Sequence, residues 1–426
     1  MTPFARMARL SAAFLGSNLA RAAIGFGLSF ALARGLGADR FGRWILCTAW
    51  ASTLTSVVDL GFGVLLTRDG ARPDTEHGVL LTGALALRLA LVIPLAALLS
   101  LAAPYVSADA DTITGLRLAG LLGTAGAAYG CFGALFRSQP RWLPAVLAIE
   151  TGWLAVQLGA AALIAAVAAG TAVVALMTVA IAIQFAQIAS AILGWRLVFG
   201  DRGRLRVPSA GSLPPLLRRA LPFAASGIVA NVQTRIGPLM LGYLSTTSEL
   251  GLFAVASRFG TVARLAPQAV FAGALPVLSH DHGHDRASAE RVFVTFDRVL
   301  IAASIAAAAA CALWSAPLLR LVFGASFSAA APALCWVAVG LIPLLSNSGR
   351  KVFLYASGGE AQVVRWSAAS LFVQVCAGTL LVPAFGSTGA AMSVAAGEAL
   401  IWWPLRRAIP ATSCRVALQP DLLTSA

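Results

Sequence analysis

Eight ionisable side chains interrupt long apolar stretches of this sequence: Arg21, Arg88, Arg235, Arg258 and Arg264, and the carboxylates Asp59, Glu150 and Glu398. Arginine stays protonated when partly desolvated, and its planar fork donates hydrogen bonds in pairs, which suits phosphate and related oxyanions. Three carboxylates cannot neutralise five guanidinium groups, so these surroundings keep a positive excess. Polar neighbours extend the pattern. Asn18 and Arg21 share a helix face, as do Asn231 and Arg235, and Arg264 and Gln268. The five arginines with Asn18, Asn231 and Gln268 are candidate lining for a cationic cavity that takes an anionic ligand. The bland reading of any one arginine is a structural bridge to a carboxylate. Asp59, in Asp59-Leu60-Gly61-Phe62-Gly63, can serve as a cation or proton site, pair with Arg21, or anchor its helix beside two glycines that allow close packing. Glu150 and Glu398 are open to ion coupling and to arginine bridging alike.

These side chains need elements to hold them, and the composition says which. The chain has 426 residues, 59% hydrophobic and 11% charged, with a mean hydropathy of +0.83. Soluble domains carry about 25% charged residues, so this chain cannot cover its surface for water. Its main solvent is lipid. Disorder is excluded, because disordered chains are poor in apolar residues. Stretches of about 20 apolar residues suffice to cross a bilayer. Twelve occur, near 11–33, 44–67, 78–103, 113–136, 142–168, 172–198, 216–244, 250–279, 291–316, 329–355, 363–384 and 387–405. The expected fold class is an all-α polytopic membrane protein of about twelve transmembrane helices, in two six-helix lobes related as parallel repeats. The eight ionisable groups fall within these stretches. At the centre of a span one arginine costs about 2.5–3.5 kcal/mol, so they must face a bundle interior or a watery cavity.

Alternating sides divide the remaining basic residues unevenly. With both termini cytoplasmic, the inner segments carry 21 Lys and Arg and the outer segments five. The positive-inside rule therefore supports that orientation. The basic, proline-containing stretch 199–215 reads as a linker between residues 1–210 and 211–426, each carrying +7. The halves share a weak motif. Gly37-Ala38-Asp39-Arg40-Phe41-Gly42-Arg43-Trp44 and Thr246-Thr247-Ser248-Glu249-Leu250-Gly251-Leu252-Phe253 both place a turn before a hydrophobic-Gly-x-aromatic entry into the next helix. Arg6 and Arg9 before the first apolar run resemble a signal peptide, but the run has no convincing cleavage site and reads as an uncleaved span.

Other chemistry finds no residues to carry it. The formal charge of +14 is spread between apolar runs and explains topology better than nucleic-acid binding. Six cysteines show no metal or disulfide spacing. His280-Asp281-His282-Gly283-His284-Asp285 could chelate zinc if extended, but it falls in an expected polar loop and no metal site is assigned there. No Walker A sequence, nucleophile elbow or H-E-x-x-H is present. No catalytic residues, enzyme activity or cofactor are expected, apart from coupling to a proton or sodium gradient.

The stretch Leu32-Ala33-Arg34-Gly35-Leu36-Gly37-Ala38-Asp39-Arg40-Phe41-Gly42, followed by Asp59-Leu60-Gly61-Phe62-Gly63-Val64-Leu65-Leu66-Thr67-Arg68, resembles the opening of polysaccharide biosynthesis (Wzx-type) flippases. These belong to the multidrug/oligosaccharidyl-lipid/polysaccharide exporter superfamily. The resemblance implies a two-lobe transporter working by alternating access in the bacterial inner membrane. Its cargo would be a polyprenyl-pyrophosphate-linked oligosaccharide, flipped to the outer leaflet for O-antigen or exopolysaccharide synthesis. Polysaccharide polymerase and glycosyltransferases would be its partners. The alternative within the superfamily is a cation-coupled exporter of small molecules or drugs.

Overall fold

The computed structural model describes residues 3–72, 75–167, 172–209, 211, 213–264, 286–356 and 360–416. Among them the chain is helical throughout, without strands. In order these are α1 Pro3–Val57, α2 Phe62–Gly70, α3 His77–Val106, α4 Ala110–Arg137, α5 Leu143–Val167, α6 Ala172–Phe199, α7 Leu213–Leu244, α8 Thr247–Ala263, α9 Arg286–Phe323, α10 Ala331–Ala356 and α11 Glu360–Val416. In a bilayer every backbone polar group must be satisfied internally, and helices achieve this segment by segment. The protein is an all-α polytopic membrane protein.

Among the described residues eight helical stretches are long and apolar enough to cross a membrane. Two of them, Gly16–Val57 and Ala361–Arg407, run to 42 and 47 residues, and about 20 suffice for one crossing. Each breaks at a glycine: α1 at Gly37 (φ 74°) and α11 at Gly386 (φ 54°). The breaks fall between the first and second, and between the eleventh and twelfth, apolar stretches of the sequence. Helices α7 and α8 are not among the eight. Arg218, Arg219, Asn231, Gln233 and Arg235 dilute the hydropathy of α7, and α8 is described for only 17 residues.

The second apolar stretch, expected as one continuous helix over 44–67, is interrupted. Helix α1 ends at Val57 and α2 begins at Phe62. Between them Leu60 (φ 43°) and Gly61 (φ 81°) take left-handed conformations. A side chain at Gly61 would also collide with Phe223 and the Ala220 carbonyl of α7. Glycine is thus required twice over, by dihedral and by close approach.

Packing divides the chain into two compact units, Met1–Val255 with Val322–Ser326, and Ala256–Leu321 with Phe327–Ala426. The first unit runs past the basic linker and includes α7, which lies against α1, α2 and α3. Its core gathers Phe62 of α2, Phe132 and Phe136 of α4, Trp195 and Phe199 of α6, and Leu216 and Ala220 of α7. Trp195 meets Phe132 edge-on at 5.7 Å, the geometry that ring quadrupoles favour. Its indole N–H donates to the Gly203 carbonyl at 2.7 Å, so no donor is stranded.

One junction in this unit joins the two turns that share a sequence motif. A Cβ on Gly42 would strike the Thr247 backbone, and a Cβ on Gly251 would strike the Ala38 backbone. The same 209-residue spacing separates Gly42 from Gly251 and Ala38 from Thr247. The Thr247 hydroxyl donates to Asp39 across the junction. Arg43 then binds both Asp39 and Asp109 at 2.8 Å. Asp109 caps α4 by accepting from the Thr112 N–H at 2.8 Å. The Thr112 hydroxyl bond chiefly, then the Thr112 N–H and Arg43, hold the Asp109 carboxyl below its ordinary range against its partial burial.

In the second unit α10 packs along α11. Leu354 of α10 meets Val363, Ile401 and Leu405 of α11 in a small core. A buried ion pair joins Arg350 to Asp297 of α9, and Arg350 also donates to Ser346. The Trp402 indole donates to the same serine oxygen at 3.0 Å.

Candidate functional site: intramembrane charges

Glu150 of α5 is the centre of the main cluster. Its carboxylate accepts from Arg21 of α1 at 2.8 Å and from Arg137 of α4 at 2.9 Å. The Tyr129 hydroxyl adds a third bond at 3.3 Å. The carboxylate is 6% exposed, whereas Arg21 is 48% and Arg137 34% exposed. A buried carboxylate is tolerable only when its charge is matched, and here two cations answer one anion. The cluster carries a net positive charge and presents the unused donors of both guanidinium groups. Asn18 lies three residues ahead of Arg21 on α1, half-buried. Arg137, one of the basic residues counted to the inner segments at the end of an apolar stretch, was not among the candidates. Its thirteen-residue distance from Glu150 crosses a helix turn, which periodicity alone does not resolve.

Arg235 of α7 is exposed. With Asn231, Thr53, Ser56 and Val57 it borders a shallow recess between α1 and α7. The Asn231 amide is used locally, donating to the Gly227 carbonyl at 2.8 Å.

Arg88 sits differently from an open cavity residue. It is 3% exposed, ion-paired to Asp59, and donates to the Ala127 carbonyl at 3.1 Å. Its guanidinium lies 5.9 Å from the centre of the Phe62 ring. Asp59 therefore pairs with Arg88, and Arg21 pairs elsewhere. Asp59 also accepts from the Gly63 N–H at 3.2 Å, which places a negative charge at the start of α2, where the helix dipole favours one. The pair holds the break in the second span.

In the second unit Glu398 of α11 is buried. Asn347 of α10 donates to its carboxylate at 2.9 Å and to its backbone carbonyl at 2.8 Å. Arg264 is close enough for its charge to act on Glu398, and its Nε has no hydrogen-bond partner among the described residues. Arg258 is half-buried on α8. Gln268 and the segment His280–Asp285 lie outside the described residues. Among the described residues no cluster of metal-ligating side chains occurs.

A further ionic knot was not anticipated. Asp69, at the end of α2, is 4% exposed and is engaged by Arg68 at 3.1 Å and by Arg219 of α7. It ties the basic end of α2 to α7.

Among the described residues the arrangement pairs buried charges and leaves a positive excess at Glu150. Residues 9–280 match the family model described as "Polysaccharide biosynthesis protein". No curated protein matches the chain. Solved structures share its fold. A structure titled as lipid II flippase MurJ in an inward closed conformation superposes with a TM-score of 0.70 at 12% identity, covering 94% of this chain and 87% of that one. An inward-facing multidrug resistance MATE family transporter of the MOP superfamily gives 0.59 at 15% identity, over 99% and 96%. A MOP superfamily transporter from Pyrococcus furiosus gives 0.52 at 12%, over 96% of each chain. Each of these structures is titled as a flippase or a transporter. With nearly two thirds of its length inside the family model, the chain belongs to the polysaccharide biosynthesis protein family, and its fold is that of the solved flippase and transporter structures.

Proposed function

We propose that the protein flips a polyprenyl-pyrophosphate-linked oligosaccharide from the cytoplasmic to the outer leaflet of the bacterial inner membrane, by alternating access. The observation that carries this reading is the Arg21–Glu150–Arg137 cluster, in which one buried carboxylate holds two partly exposed arginines. A pyrophosphate brings several acceptor oxygens, which match the paired donors those arginines still offer. Glu150 keeps the two cations together while the site is empty, and the cargo then supplies the missing negative charge. Arg235 adds a further cation on α7. A cationic drug would meet repulsion at the same cluster. Both termini face the cytoplasm in this reading, and a proton or sodium gradient supplies the drive. Glycosyltransferases build the cargo and a polymerase consumes it.

The test is polymer export in a host lacking its own flippase. Arg21→Ala, Arg235→Ala and Arg264→Ala, each with expression confirmed in the membrane, should abolish surface polymer. Unchanged polymer in all three would overturn the proposal. Movement of a fluorescent lipid-linked oligosaccharide by purified protein in liposomes separates transport from a scaffolding role.

A further inference from the structure

A cleft opens in the first unit between α4, α5 and α6, beside the cationic cluster. Its volume is about 170 Å³, and its walls include Tyr129, Phe136, Trp142, Ile149, Trp153 and Gly194. Besides the aromatic residues two polar side chains reach it, and each commits an oxygen to the protein. The Ser190 hydroxyl donates to the Ala186 carbonyl at 2.8 Å, and the Gln187 side-chain oxygen accepts from Gln184 at 3.0 Å. The lining thus offers hydrocarbon and ring faces. Ile149 is 53% exposed and Leu197 77% exposed, so the cleft is open along one side. Tyr129, also in the lining, donates to Glu150, the carboxylate that carries Arg21 and Arg137. Ile149 immediately precedes Glu150 on α5. An apolar trough and a net positive group therefore share one border.

We propose that this cleft holds the first isoprene units of a polyprenyl chain while the attached pyrophosphate lies on Arg21 and Arg137. The inference rests on the proposed function and adds where the lipid part of the cargo sits. Charge complementarity selects an anionic head. Size selects a single chain, since an apolar cavity of about 150 Å³ takes up one benzene molecule, and the paired chains of a phospholipid need more. The rings of Trp142, Trp153 and Phe136 suit the flat, unsaturated repeat of an isoprenoid. Within a bilayer no hydrophobic gain separates protein from lipid, so such packing must supply the selectivity.

Gly194 makes the test clean, because nothing lies within 4 Å of the place a Cβ would occupy there. Purified protein in nanodiscs is titrated with a long-chain polyprenyl diphosphate and, separately, with inorganic pyrophosphate. Gly194→Trp fills the cleft and should weaken long-chain binding roughly tenfold while leaving pyrophosphate binding unchanged. A diazirine on the first isoprene unit should crosslink to residues 145–153 and 190–198. Equal long-chain binding by wild type and Gly194→Trp, with Gly194→Leu as the milder control, overturns the cleft assignment. So does crosslinking confined to other helices, or displacement of the probe by an equal amount of phosphatidylglycerol. If pyrophosphate binds and the chain adds no affinity, the cleft fails and the proposed function stands. If neither binds to wild type, both fail.

Discussion

Substituting Asp59→Asn tests the account of the broken second span most directly. The Arg88 side chain is 3% exposed and Asp59 33% exposed, so the two partners have unequal alternatives. With Asn at position 59, the amide oxygen still accepts from the Gly63 N–H, but the guanidinium is left buried without a counter-charge. Removing one partner of a buried pair costs about 3–5 kcal/mol, and the surviving Arg88 bond to the Ala127 carbonyl places the loss near the lower end, at about 3 kcal/mol. Arg88→Met strands the other partner. Asp59 then keeps a third of its surface exposed and its bond from Gly63 at 3.2 Å, so the loss should be smaller, about 1–3 kcal/mol. The double variant carries neither charge and should be more stable than the sum of single losses implies, by about 1–2 kcal/mol. The assay is reversible SDS-induced unfolding in mixed micelles, followed by far-UV circular dichroism. Arg88→Met at least as destabilising as Asp59→Asn, or an additive double variant, would refute the reasoning.

Three further outcomes are expected. Glu150→Gln keeps one acceptor oxygen, replaces the other with a donor, and releases the two arginines from charge pairing. It should lower export while binding inorganic pyrophosphate at least as tightly as wild type, measured by calorimetry, because the competing anion is gone. Gly42→Ala and Gly251→Ala each force a methyl group into opposing backbone and should cost about 1–3 kcal/mol in the same unfolding assay, whereas Gly194→Ala should be neutral. Asp109 is ionised more readily when folded, so its contribution is present above the ordinary carboxylate range and disappears as pH falls through its lowered folded value. Asp109→Asn should therefore be less stable than wild type at pH 6, with the gap closing toward pH 3 in thermal unfolding followed by circular dichroism.

The spans were legible because each needs a long apolar run, and that requirement survives in any tertiary context. The break at Leu60–Gly61 was not. It falls inside a stretch long enough for one span, and the approach of α7 to Gly61 and the Asp59–Arg88 pair come from other helices. The eight ionisable groups were legible as interruptions of apolar runs. Their partners were not, since pairing depends on how each helix is rotated about its axis. Arg88 illustrates the failure: its neighbours in sequence are apolar on every side, and its counter-charge lies in the preceding span. Arg137 illustrates the reverse, a residue whose place at a helix end suggested topology and whose side chain reaches Glu150. Gln268 and the histidine segment lie outside the described residues.

The junction at Gly42 and Gly251 has a further consequence. Each turn contributes both a glycine and the stretch of backbone that the opposite glycine meets, at one constant spacing of 209 residues. Between two subunits this reciprocity would be an isologous contact, self-complementary about a two-fold axis. Here both sides are written once in a single gene, so they are free to diverge in sequence yet bound to stay matched in shape. Bulk added to one turn must be answered by withdrawal in the other. The surrounding polar bonds show how far divergence has gone: Asp39 accepts from Thr247, while the equivalent positions 248 and 38 hold Ser and Ala and return no such bond. Shape has been kept two-fold where backbone meets backbone, and side-chain chemistry has become one-sided around it.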